Sequence, residues 1–297
     1  MKISGLHILL TYQCTLECDH CFVWGSPRQT GALTVVQLED VLVQAKEAGV
    51  ESVYYEGGEP FLYYPILVKG VHLAADMGFT VGIVSNAYWA NSVPDATEWL
   101  RPFVGRLSDL TLSSDVFHCG ECVGEQAQNA VVAAKWLGIP TGMISIAQPE
   151  QVGAPQTRGQ IEEESAVMFR GRAASKLVAH VAKHPWDSFN ACLHENLRDP
   201  GRIHLDPLGY VHICQGISIG NVFQKPLKAI LDEYDPDTHP ICGLLNAGGP
   251  TALVTEYNLP HKLAYADACH LCYEARLDLR ERFPGILAPD QMYGVTS

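Results

Sequence analysis

A chain of 297 residues that is 47% hydrophobic and 18% charged has the composition of a folded protein and excludes a disordered one. Its net charge of −13 argues against a nucleic-acid partner, since such binding rests on Lys/Arg–phosphate contacts, and fits a small molecule, a peptide or a basic partner. With no run of about 18 apolar residues, no membrane span is expected. The apolar start, Met1 to Leu10, is too short for a signal peptide and has no small-residue cleavage site behind it.

The first half alternates strand and helix patterns. Apolar runs suited to buried parallel strands lie at 5–11, 51–55, 79–85, 107–113 and 140–146. Helical stretches between them end in Lys46-Glu47-Ala48-Gly49, Ala75-Asp76-Met77-Gly78 and Lys135-Trp136-Leu137-Gly138, where glycine is the expected left-handed stop. Thr34-x-x-Gln37 is a capping box opening the first helix, and Leu38, Val41, Leu42 and Ala45 then share one face. Repeated βα units give either an open doubly wound sheet or a curved barrel.

From about residue 176 the pattern changes. Gly201 to Ile219 reads as short strands around a turn at Asp206-Pro207-Leu208-Gly209-Tyr210. Pro226 to Tyr234 reads as a short helix, Ala247-Gly248-Gly249-Pro250 as a loop, and Cys272 to Phe283 as a final amphipathic helix. The expected division is 1–175 and 176–297.

Chemistry concentrates on cysteine. Of ten cysteines, Cys14, Cys18 and Cys21 are spaced C-x3-C-x2-C directly after the first strand. Three thiolates cannot complete a four-sulfur zinc or iron shell; if they hold a [4Fe–4S] cluster, one iron keeps an open position for chemistry. Glu56-Gly57-Gly58-Glu59-Pro60 follows the second strand. In parallel βα folds both segments fall at the C-terminal rim of the strands, where ligands bind. CxxC pairs without an export signal point to metal in a reducing cytosol.

The triple and the Gly-Gly-Glu-Pro loop together closely resemble the radical S-adenosylmethionine (SAM) enzymes. The resemblance implies an α/β fold, a partial (β/α)6 TIM-like barrel, with a cluster-bound SAM cleaved reductively to a 5′-deoxyadenosyl radical that abstracts a substrate hydrogen. It implies that Gly57, Gly58, Glu59 and Pro60 meet the SAM amino group, and that Ser85 and Asn86 after the third strand, with Ser113, Ser114 and Asp115 after the fourth, meet its carboxylate and ribose. Asp115 is an Asx turn or helix cap in the alternative. Arg170 and Arg172 are candidates to clamp a carboxylate, or interdomain ion-pair partners. His20 either shields the cluster or is a packed aromatic. His118-Cys119-Gly120-Glu121-Cys122 should overhang the site, as substrate ligands, a redox dithiol or a metal site, or as two thiols in a capped loop; Asp115, His118, Cys119 and Cys122 are the catalytic candidates.

In the second half, Cys192, Gly209-x4-Cys214 and Cys269-His270-Leu271-Cys272 resemble the twitch module, a short relative of the SPASM domain. That resemblance implies a small α+β auxiliary-cluster domain whose four cysteines hold a second [4Fe–4S] cluster; a structural zinc is the alternative. A fully ligated cluster suits electron transfer, so the implied reaction is oxidation of a small molecule, fed by a flavodoxin- or ferredoxin-type donor. Maturation of a ribosomally made peptide, by thioether or carbon–carbon crosslinking, is the alternative; such maturases often carry a leader-binding domain before the barrel, and 13 residues precede Cys14. An iron–sulfur electron carrier would explain neither the open iron nor the Gly-Gly-Glu-Pro loop. Cys242 is expected to be a buried small residue.

Overall fold

The computed structural model describes residues 1–119, 124–147 and 165–295. Strand β1 (Ile3–Thr11) buries Leu6, Ile8 and Leu10 on one side and turns His7 and Leu9 to the other, the period of two that a strand imposes. Helix α1 (Val35–Glu47) carries both hydrogen bonds of the Thr34–Gln37 capping box, and its expected face of Leu38, Val41, Leu42 and Ala45 is buried. β2 (Ser52–Gly57), α2 (Tyr64–Asp76), β3 (Thr80–Ser85), α3 (Val93–Leu100), β4 (Asp109–Ser113), the single turn α4 (Val116–Cys119), α5 (Glu125–Leu137) and β5 (Thr141–Ile144) continue the alternation. Helices α1, α2 and α5 run out into Gly49, Gly78 and Gly138, at φ +83°, +81° and +70°. A side chain there would be strained, so glycine ends each helix where the sequence indicates.

The second half adds α6 (Ala173–Lys176), β6 (His184–Pro185), β7 (Gly201–Leu205), β8 (Tyr210–Cys214), β9 (Ile217–Asn221), α7 (Leu227–Glu233), α8 (Cys242–Tyr257), β10 (Ala264–Tyr265) and α9 (Ala268–Leu279). One eight-stranded sheet runs β5-β4-β3-β2-β1-β7-β8-β9, parallel from β5 through β7 and antiparallel beyond it. Beyond β5, Ile146 makes a parallel bridge to Ser165. β7 lies on the other flank, with Ile3↔Gly201 and His7↔His204 in register, so the two regions divided near residue 175 share the sheet.

Two expectations needed correction. Ala247 to Pro250 is a kink rather than a longer loop: Gly248 and Gly249 leave helical angles, and Pro250 starts the second helical segment of α8. A Cβ on Gly249 would overlap the backbone of Asn190 and Ala191, which explains the glycine. The final helix starts at Ala268, because the Asp267 carboxylate accepts from the His270 amide at 2.7 Å and caps it there.

One core fills the space between the sheet and α1, α2, α3 and α5. A second joins Leu9, Tyr12 and Val23 to Ile213, Leu253, Leu271 and Tyr293, and so ties the first loop to the last helices. Each fully buried Leu, Ile or Val there contributes roughly 1.5–3 kcal/mol. No helix among the described residues is long and apolar enough to cross a membrane.

Candidate active site

A cavity of about 320 Å³ opens at the C-terminal ends of β1 to β4. Cys14, Cys18 and Cys21 line it, facing Gly57, Gly58 and Asn86. Cys14 N donates to Ser26 O at 3.1 Å and closes the loop that carries the three thiols. Amides point at the sulfurs: Gly25 N donates to Cys21 Sγ at 3.2 Å and Leu16 N to Cys14 Sγ at 3.4 Å, with Asn86 Nδ2 at 3.6 Å from Cys14 Sγ. Burial pushes the Cys14 thiol up to about 12, against the Leu16 amide, and raises Cys18 as well. Thiols so placed ionise when a cation takes the proton's place, and N–H···S contacts are among the levers that tune iron–sulfur sites.

The Gly-Gly-Glu-Pro loop does two jobs. Gly57 and Gly58 line the cavity, and a Cβ on either would overlap backbone, the Thr11 carbonyl for Gly57 and the Gln13 carbonyl for Gly58. Gly58 N donates to Thr11 O at 2.7 Å and Glu59 N to Gln13 O at 2.8 Å, so the loop is laced to the segment entering Cys14. The Glu59 side chain is fully buried and accepts from Phe61 N, Ser85 Oγ and Asn86 N at 3.1, 2.9 and 2.8 Å. Burial pushes this carboxyl up to about 7, with the Asn86 and Phe61 amides and the Ser85 hydroxyl opposing. Pro60 opens the turn Pro60–Tyr63 and is buried.

The other rim residues divide. Ser85, Asn86, Ser113 and His118 line the cavity. Ser85 Oγ is already engaged, donating to Glu59 and accepting from Trp89 Nε1 at 3.0 Å. Ser114 accepts from Gly124 N at 3.0 Å. Asp115 is fully buried: Oδ1 accepts from Phe117 N and from His118 N and lies 2.7 Å from His118 Nδ1, while Oδ2 accepts from Ile146 N at 3.1 Å. That is the cap alternative, with His118 held as its consequence. His20 lines the cavity too, its ring 4.7 Å from Phe117 and 5.0 Å from His118, with burial and the His118 charge depressing it to about 4. Cys122 and the side chain of Cys119 lie outside the described residues.

The two arginines have different partners. Arg172 Nη1 and Nη2 donate to the carbonyls of Cys18 at 2.6 Å and Gly25 at 2.8 Å, so its guanidinium holds the cysteine loop. Arg170 lines two cavities at once, with Nη1 3.3 Å from Glu195 Oε1 and 3.5 Å from Cys214 Sγ, and its guanidinium over the Phe22 ring. The second cavity, of about 20 Å³, is lined by Cys192, Cys214, Cys269 and Cys272. Arg276, 1% exposed, donates to Gln215 O at 2.5 Å and Cys272 O at 3.3 Å, the counterpart of Arg172. Cys242 is fully buried in the second core, as expected of a small apolar residue.

Sequence reasoning missed Arg276 and a cluster of His7, Glu56 and His204. His7 stands on the cavity-facing alternation of β1, a readable signal; His204 joins only through the β1–β7 pairing, which local pattern does not encode.

Residues 8–110 match the family model of the Radical SAM superfamily. The chain is 29% identical over 138 residues to an S-adenosylmethionine-dependent nucleotide dehydratase of Thermoplasmatales archaeon (strain ISO4-H5), a stretch covering 45% of this chain and 48% of the relative. It is 26% identical over 120 residues to the putative peptide biosynthesis protein YydG of Bacillus subtilis, 40% of this chain and 38% of that one. It is 37% identical over 87 residues to the PqqA peptide cyclase of Streptomyces rochei, 28% of this chain and 23% of the cyclase. Each match thus spans less than half of the relative. Among solved structures, a hexahistidine-tagged anSMEcpe with bound AdoMet superposes with a TM-score of 0.55 over 99% of both chains at 11% identity, a likeness of fold.

Proposed function

We propose that the chain, whose residues 8–110 match the Radical SAM superfamily model, is a SAM-dependent radical enzyme that oxidises a small polar substrate held in the 320 Å³ cavity. The observation that carries the reading is that Cys14, Cys18 and Cys21 line one cavity together with Gly57 and Gly58. The donor set fits a [4Fe–4S] cluster: three half-buried thiols, amide N–H groups on two of them, and one iron position left to a ligand. With SAM bound, that cluster supplies reductive cleavage of the sulfonium and the 5′-deoxyadenosyl radical that takes a substrate hydrogen.

This chain's residues set positions. Arg172 fixes the cysteine loop through two carbonyls, and Glu59 locks the loops after β2 and β3 together. Gly57 and Gly58 would present backbone to a SAM amino group, and Asn86, Ser113 and His118 are polar lining residues that would meet its carboxylate and ribose or the substrate. Cys192, Cys214, Cys269 and Cys272 would hold a second [4Fe–4S] cluster in a twitch-like module, residues 176–297, as an electron acceptor. A flavodoxin- or ferredoxin-type donor in a reducing cytosol would supply the first electron.

A second reading is maturation of a peptide, favoured by the likeness to a peptide biosynthesis protein and a peptide cyclase. The test is anaerobic reconstitution with iron and sulfide analysis, followed by SAM, dithionite and a 5′-deoxyadenosine assay. About eight irons with 5′-deoxyadenosine formed is the expected result. Clusters without SAM cleavage would instead make the chain an electron carrier.

A further inference from the structure

At the floor of the cavity, away from the cysteines, three neighbouring parallel strands bring two imidazoles onto one carboxylate. His7 on β1 and His204 on β7 are direct partners in the register, and Glu56 stands on β2 opposite Leu9. His7 Nδ1 lies 3.0 Å from Glu56 Oε2, and His204 Nδ1 lies 2.7 Å from Oε1. One potential ligand atom from each of the three falls within 4.8 Å of the other two. The side chains are 20%, 13% and 19% exposed, and His7 and Glu56 line the same cavity as the cysteines.

We propose that His7, Glu56 and His204 bind one divalent first-row transition ion, Mn(II) or Fe(II) in class, at the cavity floor. Two imidazoles and a carboxylate on one side of an ion are the donor set such metals take, and they leave further positions open. The spacing allows it: the two imidazole nitrogens meet different oxygens of Glu56, and one donor atom from each residue lies within 4.8 Å of the other two. Charge suits it as well, since Glu56 has no lysine or arginine within ion-pair distance among the described residues and its partners are the two imidazoles. A carboxylate with little access to water gains from a positive charge beside it, which a bound ion supplies without requiring a protonated imidazole.

The surroundings hold the donors in place. Tyr54 stacks on His7 with ring centroids 5.1 Å apart and planes 15° from parallel. Gly82 on β3 has no Cβ because one would overlap the Tyr54 ring, so the neighbouring strand makes room for the ring that orients His7. The open positions of the ion would face the cavity and could take an oxygen donor there. The site does not depend on the radical reading, since neither SAM nor a cysteine takes part in it.

The test uses the cluster-loaded protein in its oxidised state, in which [4Fe–4S] clusters are EPR-silent, and Mn(II) as the probe, a hard ion that does not compete for thiolates. Titration followed by the loss of the free Mn(II) spectrum should give one bound ion per chain. Pulsed EPR should detect two coupled nitrogens. Glu56→Gln and His204→Ala should each weaken binding at least about tenfold with iron content unchanged, and His204→Ala should remove one nitrogen. Absence of binding, a bound ion without nitrogen coupling, or unchanged affinity in both variants overturns the proposal. The nitrogen count in the unmutated protein decides the matter even if a variant fails to fold.

Discussion

The two cysteine-lined cavities are built on the same plan and differ in space. Each is steadied by a buried arginine that donates to two backbone carbonyls beside its cysteines, Arg172 to Cys18 and Gly25, Arg276 to Gln215 and Cys272. The first has three cysteines around about 320 Å³, the second four around about 20 Å³. Three sulfurs leave a metal position for a further ligand; four sulfurs complete a shell and suit a centre that only passes electrons. The number of cysteines is therefore the feature that separates the two sites.

The largest effect should come from breaking the first site. Replacing Cys14, Cys18 and Cys21 by Ala is expected to abolish 5′-deoxyadenosine formation and leave about four irons per chain; continued SAM cleavage would sink the assignment. Replacing Cys269 and Cys272 should remove the other four or so irons yet leave SAM cleavage measurable, with substrate turnover lost. Iron analysis showing all of it retained would refute that ligand set.

Smaller changes sharpen the contrast. Arg172→Lys and Arg276→Lys each lose the two-pronged donation to carbonyls. Each should cost iron in its own site only, with SAM cleavage falling about tenfold in the first variant and far less in the second. A shared loss would mean that the arginines support the fold as a whole. Glu59→Gln should have the mildest effect, and its signature is pH dependence. Because burial raises the folded carboxyl to about 7, the unfolded chain ionises first, so stability should fall between about pH 4.5 and 7 and level off above. The fall is on the order of 3 kcal/mol in the parent, and thermal midpoints of Glu59→Gln should be flat across the same window. A flat profile in the parent would mean that the three donors keep Glu59 ionised.

Local patterns carried the first half of the fold because βα units are nearly self-describing. Glycine stops, the Thr34 cap and apolar runs each act within a few residues, and β1 to β5 lie where those patterns place them. The rim logic carried Gly57, Gly58 and the cysteine triple to one wall for the same reason. What could not be read was pairing between distant segments. Nothing near Gly201 states that β7 will lie beside β1 rather than beyond β5, so the junction of the two regions and the His7–Glu56–His204 cluster stayed hidden. Arg172 and Asp115 show a different limit. Residue type suggested ligand contacts, but a buried guanidinium or carboxylate first satisfies the nearest backbone carbonyls and amides, and those depend on the fold.

β1, flanked by β2 and β7, has consequences for how the protein is made. The strand leading to Cys14 is synthesised well before Gly201–Leu205, and one of its two edges waits for that segment. Until those residues arrive, an apolar strand with Leu6, Ile8 and Leu10 on its face keeps a row of unpaired amides and carbonyls, the template on which partly folded chains aggregate. Stalled or truncated synthesis before residue 201 is therefore the point at which this protein is most exposed to misassembly.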